Sequence, residues 1–317
     1  MPCLLYIAIG ILASGLVFYC FMIIYASYCV YTRTLKRQSK EHWGRTVSSN
    51  EKPSLKMDAI GMQWHADHLK YKQDVHIVRD DCNLYGEYYD FGYDKAAIIL
   101  SGRTESLRYG YYFAKPYCDF GCNILVIDPR AHGYSDGQFN TVGFEESLDA
   151  LEWTRFLANE KHIQSVIYHG ICIGAATGML AITHEDCPAC VKAIVTEGMF
   201  TNFSASMRNH LIERKKHMFP LLQCIDFWMR YFTGHTMTKG PIDVIGKLKQ
   251  PILMLQSKED KYSKCENAHI LYEKCGSEKK QLVLFEHGAH SMLRITDTEK
   301  YDHEITVFLK NLFSTNG

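Results

Sequence analysis

An α/β architecture is what this sequence predicts: a mostly parallel sheet wound by helices on both faces, behind one membrane-spanning helix. Three observations predict it. Short apolar runs alternate with helical patterns from about residue 74 to 313, which calls for a sheet covered on both sides. A buried strand, a tight glycine-flanked turn and a small-residue helix follow one another across residues 165–180. Residues 4–31 contain no charged side chain.

The uncharged run comes first. As a helix at ~1.5 Å per residue it spans roughly 40 Å, more than the ~30 Å hydrocarbon core of a bilayer. Tyr6, Tyr28 and Tyr31 lie near its ends, where headgroups would be. A cleaved signal peptide would want positive charge before a shorter apolar run; a buried core helix is the other alternative. Arg33, Lys36, Arg37 and Lys40 follow directly, which places the downstream side in the cytoplasm. The expected organisation is a transmembrane anchor over 1–32, a linker and amphipathic lead-in over 33–72, and one domain over 73–317. Residues 38–66 read as a tether rather than a domain.

The domain then runs element by element. Residues 74–78 and 82–89 alternate apolar and polar, as a hairpin does. Lys95–Leu100 is a continuous apolar run suited to burial on both faces. A helix over about 109–120, a strand over 123–127 and a helix over about 143–158 come next. Strands follow at 165–169, 191–196, 251–255 and 281–285, and an amphipathic helix closes the pattern over about 298–313. Between about 200 and 247 the rhythm breaks, which marks an insertion.

The run Gly170-Ile171-Cys172-Ile173-Gly174 has the G-x-S-x-G form of a nucleophile elbow, with cysteine at the serine position. The alternative is a small apolar Cys packed under a helix. In doubly wound sheets reactive groups gather at the carboxyl ends of strands. Asp260 follows the 251–255 strand and His290 the 281–285 strand. The order Cys172, Asp260, His290 is a nucleophile–acid–base order. Glu197, ending the 191–196 strand, is the reserve acid, and His287 the reserve base.

With those residues in hand, the chain resembles the α/β-hydrolase superfamily over about 74–313, and most resembles bacterial serine-aminopeptidase-like (S33-like) hydrolases. The markers are Asp128-Pro129-Arg130-Ala131-His132-Gly133-Tyr134-Ser135, the elbow, the Asp260 loop and Gly288-Ala289-His290. The chain departs at Ala131, where the family block has glycine. It also departs at Ser101-Gly102, where His-Gly is usual, at Ser257, where the acid loop usually has glycine, and at Cys172. The resemblance implies a Cys172–His290–Asp260 triad, an oxyanion hole made by the amides of Ile173 and Arg103, and a helical cap at about 200–247. The apolar cap residues, among them Phe203, Met207, Met218, Phe219, Phe227, Trp228, Met229, Tyr231 and Phe232, are expected to line an acyl pocket.

A thiolate at Cys172 is favoured by the amino end of the following helix and by His290. The expected activity is cleavage of an ester or thioester through an acyl-cysteine, on a small acyl substrate, lipid-like ones included. The same site could pass the acyl group to an amine or alcohol, and a non-catalytic binding module is the third reading. Balanced charge, 35 Lys+Arg against 35 Asp+Glu, gives no reason to expect nucleic acid. Twelve Cys, three of them (Cys3, Cys20, Cys29) in or beside the apolar run, show no paired secreted framework and fit a reducing compartment. The lone Cys187-x-x-Cys190 pair reads as a connection rather than a zinc site. His65, His68 and His169 read as structural, so neither metal nor cofactor is expected.

Overall fold

The computed structural model describes residues 2–314, with side chains from residue 4. The side chain of Cys3 and the last three residues of the expected domain fall outside the described residues. Helix α1 (Pro2–Leu35) is followed by α2 (Lys52–Asp67), β1 (Lys72–Arg79), β2 (Cys82–Tyr89), β3 (Lys95–Leu100), α3 (Leu107–Phe120), β4 (Asn123–Ile127) and α4 (Phe144–Glu160). Then come β5 (Ser165–Ile171), α5 (Ile173–Ile182), β6 (Val191–Glu197), α6 (Phe203–Glu213), α7 (Leu221–Thr233) and α8 (Pro241–Val244). The chain ends with β7 (Ile252–Ser257), α9 (Cys265–Lys274), β8 (Lys280–Phe285), α10 (Leu293–Thr296) and α11 (Thr298–Ser314).

The strands form one sheet in the order β1-β2-β4-β3-β5-β6-β7-β8. Pairings β1–β2 and β2–β4 are antiparallel, and the rest are parallel. The two-residue period of a strand explains why β3 is apolar throughout. Ala96, Ile98 and Leu100 face one core, with Trp153 and Leu157 of α4 and Met179 of α5. Ala97 and Ile99 face the other, with Phe113 and Tyr117 of α3 and Tyr301, Ile305 and Leu309 of α11. Ile98 and Ile99 are fully buried, which contributes about 1.5–3 kcal/mol each.

Helix α1 is long and apolar enough to cross a membrane, with mean hydropathy 2.5 over its most apolar 18-residue window within Leu4–Leu35. It continues past the expected boundary at 32. Its last turns leave the exposed run and pack into the body: Ser27, Tyr31 and Leu35 are wholly buried.

The segment read as a tether is strapped to the domain instead. Arg37 donates to the carbonyls of Gly133 (2.7 Å) and Ser135 (3.1 Å), and its amide donates to Gln138 O (2.8 Å). Trp43 stacks on His132 at 4.5 Å, and its carbonyl accepts from Gly133 N. Arg45 Nε reaches buried Asp128 Oδ2 at 2.8 Å. Helix α2 then buries Met57, Gly61 and Trp64 against α3. Before α2 the strap is held by isolated contacts, Arg37 on loop carbonyls, Trp43 on the His132 ring and Arg45 on the Asp128 carboxylate, so it carries no apolar period.

Candidate active site

Cys172 sits where β5 turns into α5, with φ 54° and ψ −113°. A non-glycine residue held there stores roughly 1–3 kcal/mol, which the surrounding fold must supply. The flanking glycines make that turn possible. A Cβ on Gly174 would stand 1.9 Å from the carbonyl oxygen of Leu100, and one on Gly170 would stand 2.4 Å from that of Gly174. No side chain fits at either position. The Cys172 amide is tied to Glu197 O at 2.9 Å, which fixes the bend against β6.

His290 lies in the loop after β8 and Asp260 in the loop after β7. The His290 Nδ1–H donates to Asp260 Oδ2 at 2.7 Å. The other carboxylate oxygen of Asp260 accepts from the amides of Tyr262 (2.8 Å) and Ser263 (2.9 Å), so the acid is anchored before it meets the ring. Ser257, standing where the resemblance leads one to expect glycine, joins the two loops: its hydroxyl donates to Gly288 O at 2.5 Å and accepts from Glu259 N at 3.0 Å. Gly198 completes the floor, since a Cβ there would lie 3.3 Å from the imidazole.

The structure therefore brings Cys172, His290 and Asp260 together at the carboxyl edge of the sheet. Burial lowers the basicity of His290, but the facing Cys172 sulfur and the Asp260 carboxylate outweigh it and hold the imidazolium well above its ordinary range. Burial pushes Cys118 and Cys187 up to about 11 and Cys122 up to about 12.

The reserve residues are placed elsewhere. Glu197 accepts from Leu293 N (3.1 Å) and Tyr301 OH (2.7 Å) rather than from His290, and it steadies the chain that follows the histidine. His287 is exposed and pairs with Glu259 at 3.0 Å. His169 is buried between the hydroxyls of Tyr117 and Tyr301. His65 hydrogen-bonds Tyr89 OH and His68 the carbonyl of Trp64.

Ile173 opens α5, so its amide has no intrahelical acceptor. Arg103 belongs to the loop after β3, which passes the elbow: a Cβ on Gly102 would be 3.8 Å from Cys172 Cβ. That loop is fixed from three sides. His132 Nε2 contacts Arg103 O, Ser101 Oγ donates to Ser106 O, and Leu107 N donates to Asp128. The Arg103 guanidinium donates to Thr34 O at 3.0 Å, which links the loop to the last turn of α1. Ala131 sits at φ 65°, a left-handed position that explains why glycine is usual there.

A cavity of about 290 Å³ opens above the sulfur. Its walls correct the expected apolar cap pocket. Among the nine cap side chains expected to line it, Phe203 does; Trp228 and Phe232 pack on α1 instead, and Phe219, Phe227 and Tyr231 are exposed. The other walls include Arg103, Glu105, Tyr109, His210, Tyr262 and strap residues between 46 and 58. His210 stacks on Tyr262 at 3.8 Å, and Tyr262 meets the His290 ring edge-on at 5.7 Å. The sequence carries no motif that points to His210 or to the strap.

No family model matches the chain. The uncharacterized protein YqkD of Bacillus subtilis (strain 168) is 29% identical over 218 residues, 68% of this chain and 71% of that one. The esterase Pf2001 of Pyrococcus furiosus superposes with a TM-score of 0.63 at 22% identity, over 78% of this chain and 95% of that one. The alpha/beta hydrolase GrgF from Penicillium sp. sh18 does so with a TM-score of 0.57 at 16% identity, over 77% and 99%. This chain has the α/β-hydrolase fold. In that fold the elbow, acid loop and histidine loop meet at one sheet edge, as Cys172, Asp260 and His290 do here.

Proposed function

We propose that this protein is a membrane-anchored hydrolase that cleaves an ester or thioester through an acyl-Cys172 intermediate. One observation carries the reading: the His290 ring is held between the Cys172 sulfur and the Asp260 carboxylate. The thiolate adds to the acyl carbonyl while the amides of Ile173 and Arg103 take the oxyanion, at about 3 kcal/mol per donor. As the tetrahedral adduct collapses, His290 gives its proton to the leaving oxygen or sulfur, and the acyl group remains on Cys172. His290 then accepts a proton from water as the hydroxide adds to the thioester, and the second adduct collapses by breaking its carbon–sulfur bond, which frees the carboxylic acid and leaves Cys172 as thiolate beside the His290 imidazolium. Asp260 keeps Nδ1 protonated throughout, so Nε2 faces the sulfur. That the similar solved proteins include an esterase and a hydrolase by name supports the same class.

The strap over the cavity favours a second reading, transfer of the acyl group to an amine or alcohol when water is kept out. Incubating the full chain in detergent with a p-nitrophenyl ester, with and without hydroxylamine or a primary alcohol, separates the readings. Hydrolysis predicts free acid as the main product at every acceptor concentration. Dominance of the transfer product at low acceptor overturns hydrolysis in favour of transfer. Release of no product from any short or medium-chain ester or thioester favours a binding module.

A further inference from the structure

The cap carries a surface that the catalytic reading does not use. Residues 212–219 are exposed without interruption and combine Arg214, Lys215 and Lys216 with Met218 and Phe219, the last 77% exposed. The outer face of α7 continues this surface with Phe227 (56% exposed) and Tyr231 (69% exposed). Such apolar side chains on a monomer's surface mark a contact site.

The packing of α7 on α1 says what the contact is. Trp228 Nε1 donates to Ser27 Oγ at 3.0 Å and its ring meets Tyr28, whereas Phe232, one turn later, stacks on Tyr31. The two helices therefore run in the same direction. Leu221, seven residues before Trp228, lies about 10 Å nearer the amino end of α1. Cys224, in the first turn of α7, lies near Cys20. The loop before α7 thus descends alongside the exposed apolar stretch of α1, where Phe21, Met22, Ile24 and Tyr25 face outward. Residues 4–26 cover about 34 Å as a helix, against a ~30 Å hydrocarbon core, so this level is the boundary of one leaflet. Basic residues next to exposed aromatics at that depth suit acidic headgroups above acyl chains.

We propose that residues 212–220 and the outer face of α7 form a second membrane contact, seated in the acidic-lipid surface of the leaflet from which α1 emerges. The proposal rests on α1 being a membrane anchor. It gives the bilayer a direct line to the site: α6 ends in this contact at Ile212 and Glu213, and the same helix presents Phe203 and His210 to the cavity.

The test reconstitutes the full chain in phosphatidylcholine vesicles, with and without phosphatidylserine, each doped with a phosphatidylcholine carrying a diazirine near its headgroup. After illumination, lipid adducts are mapped by peptide mass spectrometry. The expected result is adducts on α1 in both vesicles and, with phosphatidylserine, several-fold more adducts on residues 212–231. The double variant Lys215→Glu, Lys216→Glu should remove the phosphatidylserine-dependent gain while leaving α1 labelling and turnover of a water-soluble ester unchanged. Labelled α1 with unlabelled 212–231 overturns this proposal and leaves the anchor standing. Absence of label on both overturns the anchor and the proposal together. Equal labelling of 212–231 in the two vesicles overturns the assignment to acidic lipid.

Discussion

Cys172→Ala is expected to lower ester turnover by about 10⁴-fold or more, in a protein that still melts at the wild-type temperature. The side chain is small, half-buried and packed against both neighbouring clusters, so its loss leaves the turn in place. The backbone determinants of the bend, Gly170, Gly174 and the Cys172 N–Glu197 O bond, are untouched by the change. What disappears is the atom that forms the acyl bond, and water must then attack the carbonyl unaided except by the oxyanion amides. The measurement is kcat/KM on one thioester for both proteins in the same detergent, with a thermal melt as the control for folding. Activity within tenfold of wild type would mean that a different group attacks the substrate.

Asp260→Asn is expected to cost about 10⁴-fold in kcat with little change in KM. Tyr262 N and Ser263 N hold one carboxylate oxygen, and the other meets His290 Nδ1 at 2.7 Å. An amide at that position can turn its NH₂ toward the ring, which leaves the proton on Nε2 and removes the acceptor for the Cys172 thiol. The loss also releases the imidazolium: part of what holds His290 above its usual range is the Asp260 charge, so without it the ring deprotonates at lower pH. The pH profile of kcat should therefore narrow as well as fall. Glu197→Gln is the companion experiment. Glu197 reaches Leu293 N and Tyr301 OH but not the ring, so its replacement should lower melting temperature more than kcat. A large kcat loss for Glu197→Gln beside a small one for Asp260→Asn would exchange the two roles.

The parts legible in the sequence are those where one local rule decides the outcome. Lys95–Leu100 reads as a two-faced strand because both of its faces bury apolar side chains. The elbow reads as an elbow because only glycine survives beside it. The strand-end rule points to Asp260 and His290 but also to Glu197 and His287, and it is the resemblance that favours the first pair. The strap reads as a tether because isolated contacts hold it to the body: Arg37 on two loop carbonyls, Trp43 on the His132 ring and Arg45 on Asp128, and no period records them. The cap aromatics read as cavity lining because their spacing says that a face is covered, not by what. For Trp228 and Phe232 the cover is α1, some 200 residues earlier. His210 is brought to the site by the fold of the cap, and nothing in its neighbours announces it.

Alkylation of the full chain with limiting iodoacetamide at neutral pH, followed by peptide mapping, tests the role of Cys172 most directly. The imidazolium at His290 faces its sulfur, whereas burial pushes Cys118, Cys122 and Cys187 up to about 11, 12 and 11. Label should therefore appear on Cys172 well before Cys118, Cys122 and Cys187 at neutral pH, fall sharply in His290→Ala, and reach those three buried thiols only as the solution becomes strongly basic. Uniform labelling at neutral pH, or a Cys172 rate indifferent to His290→Ala, would contradict the account.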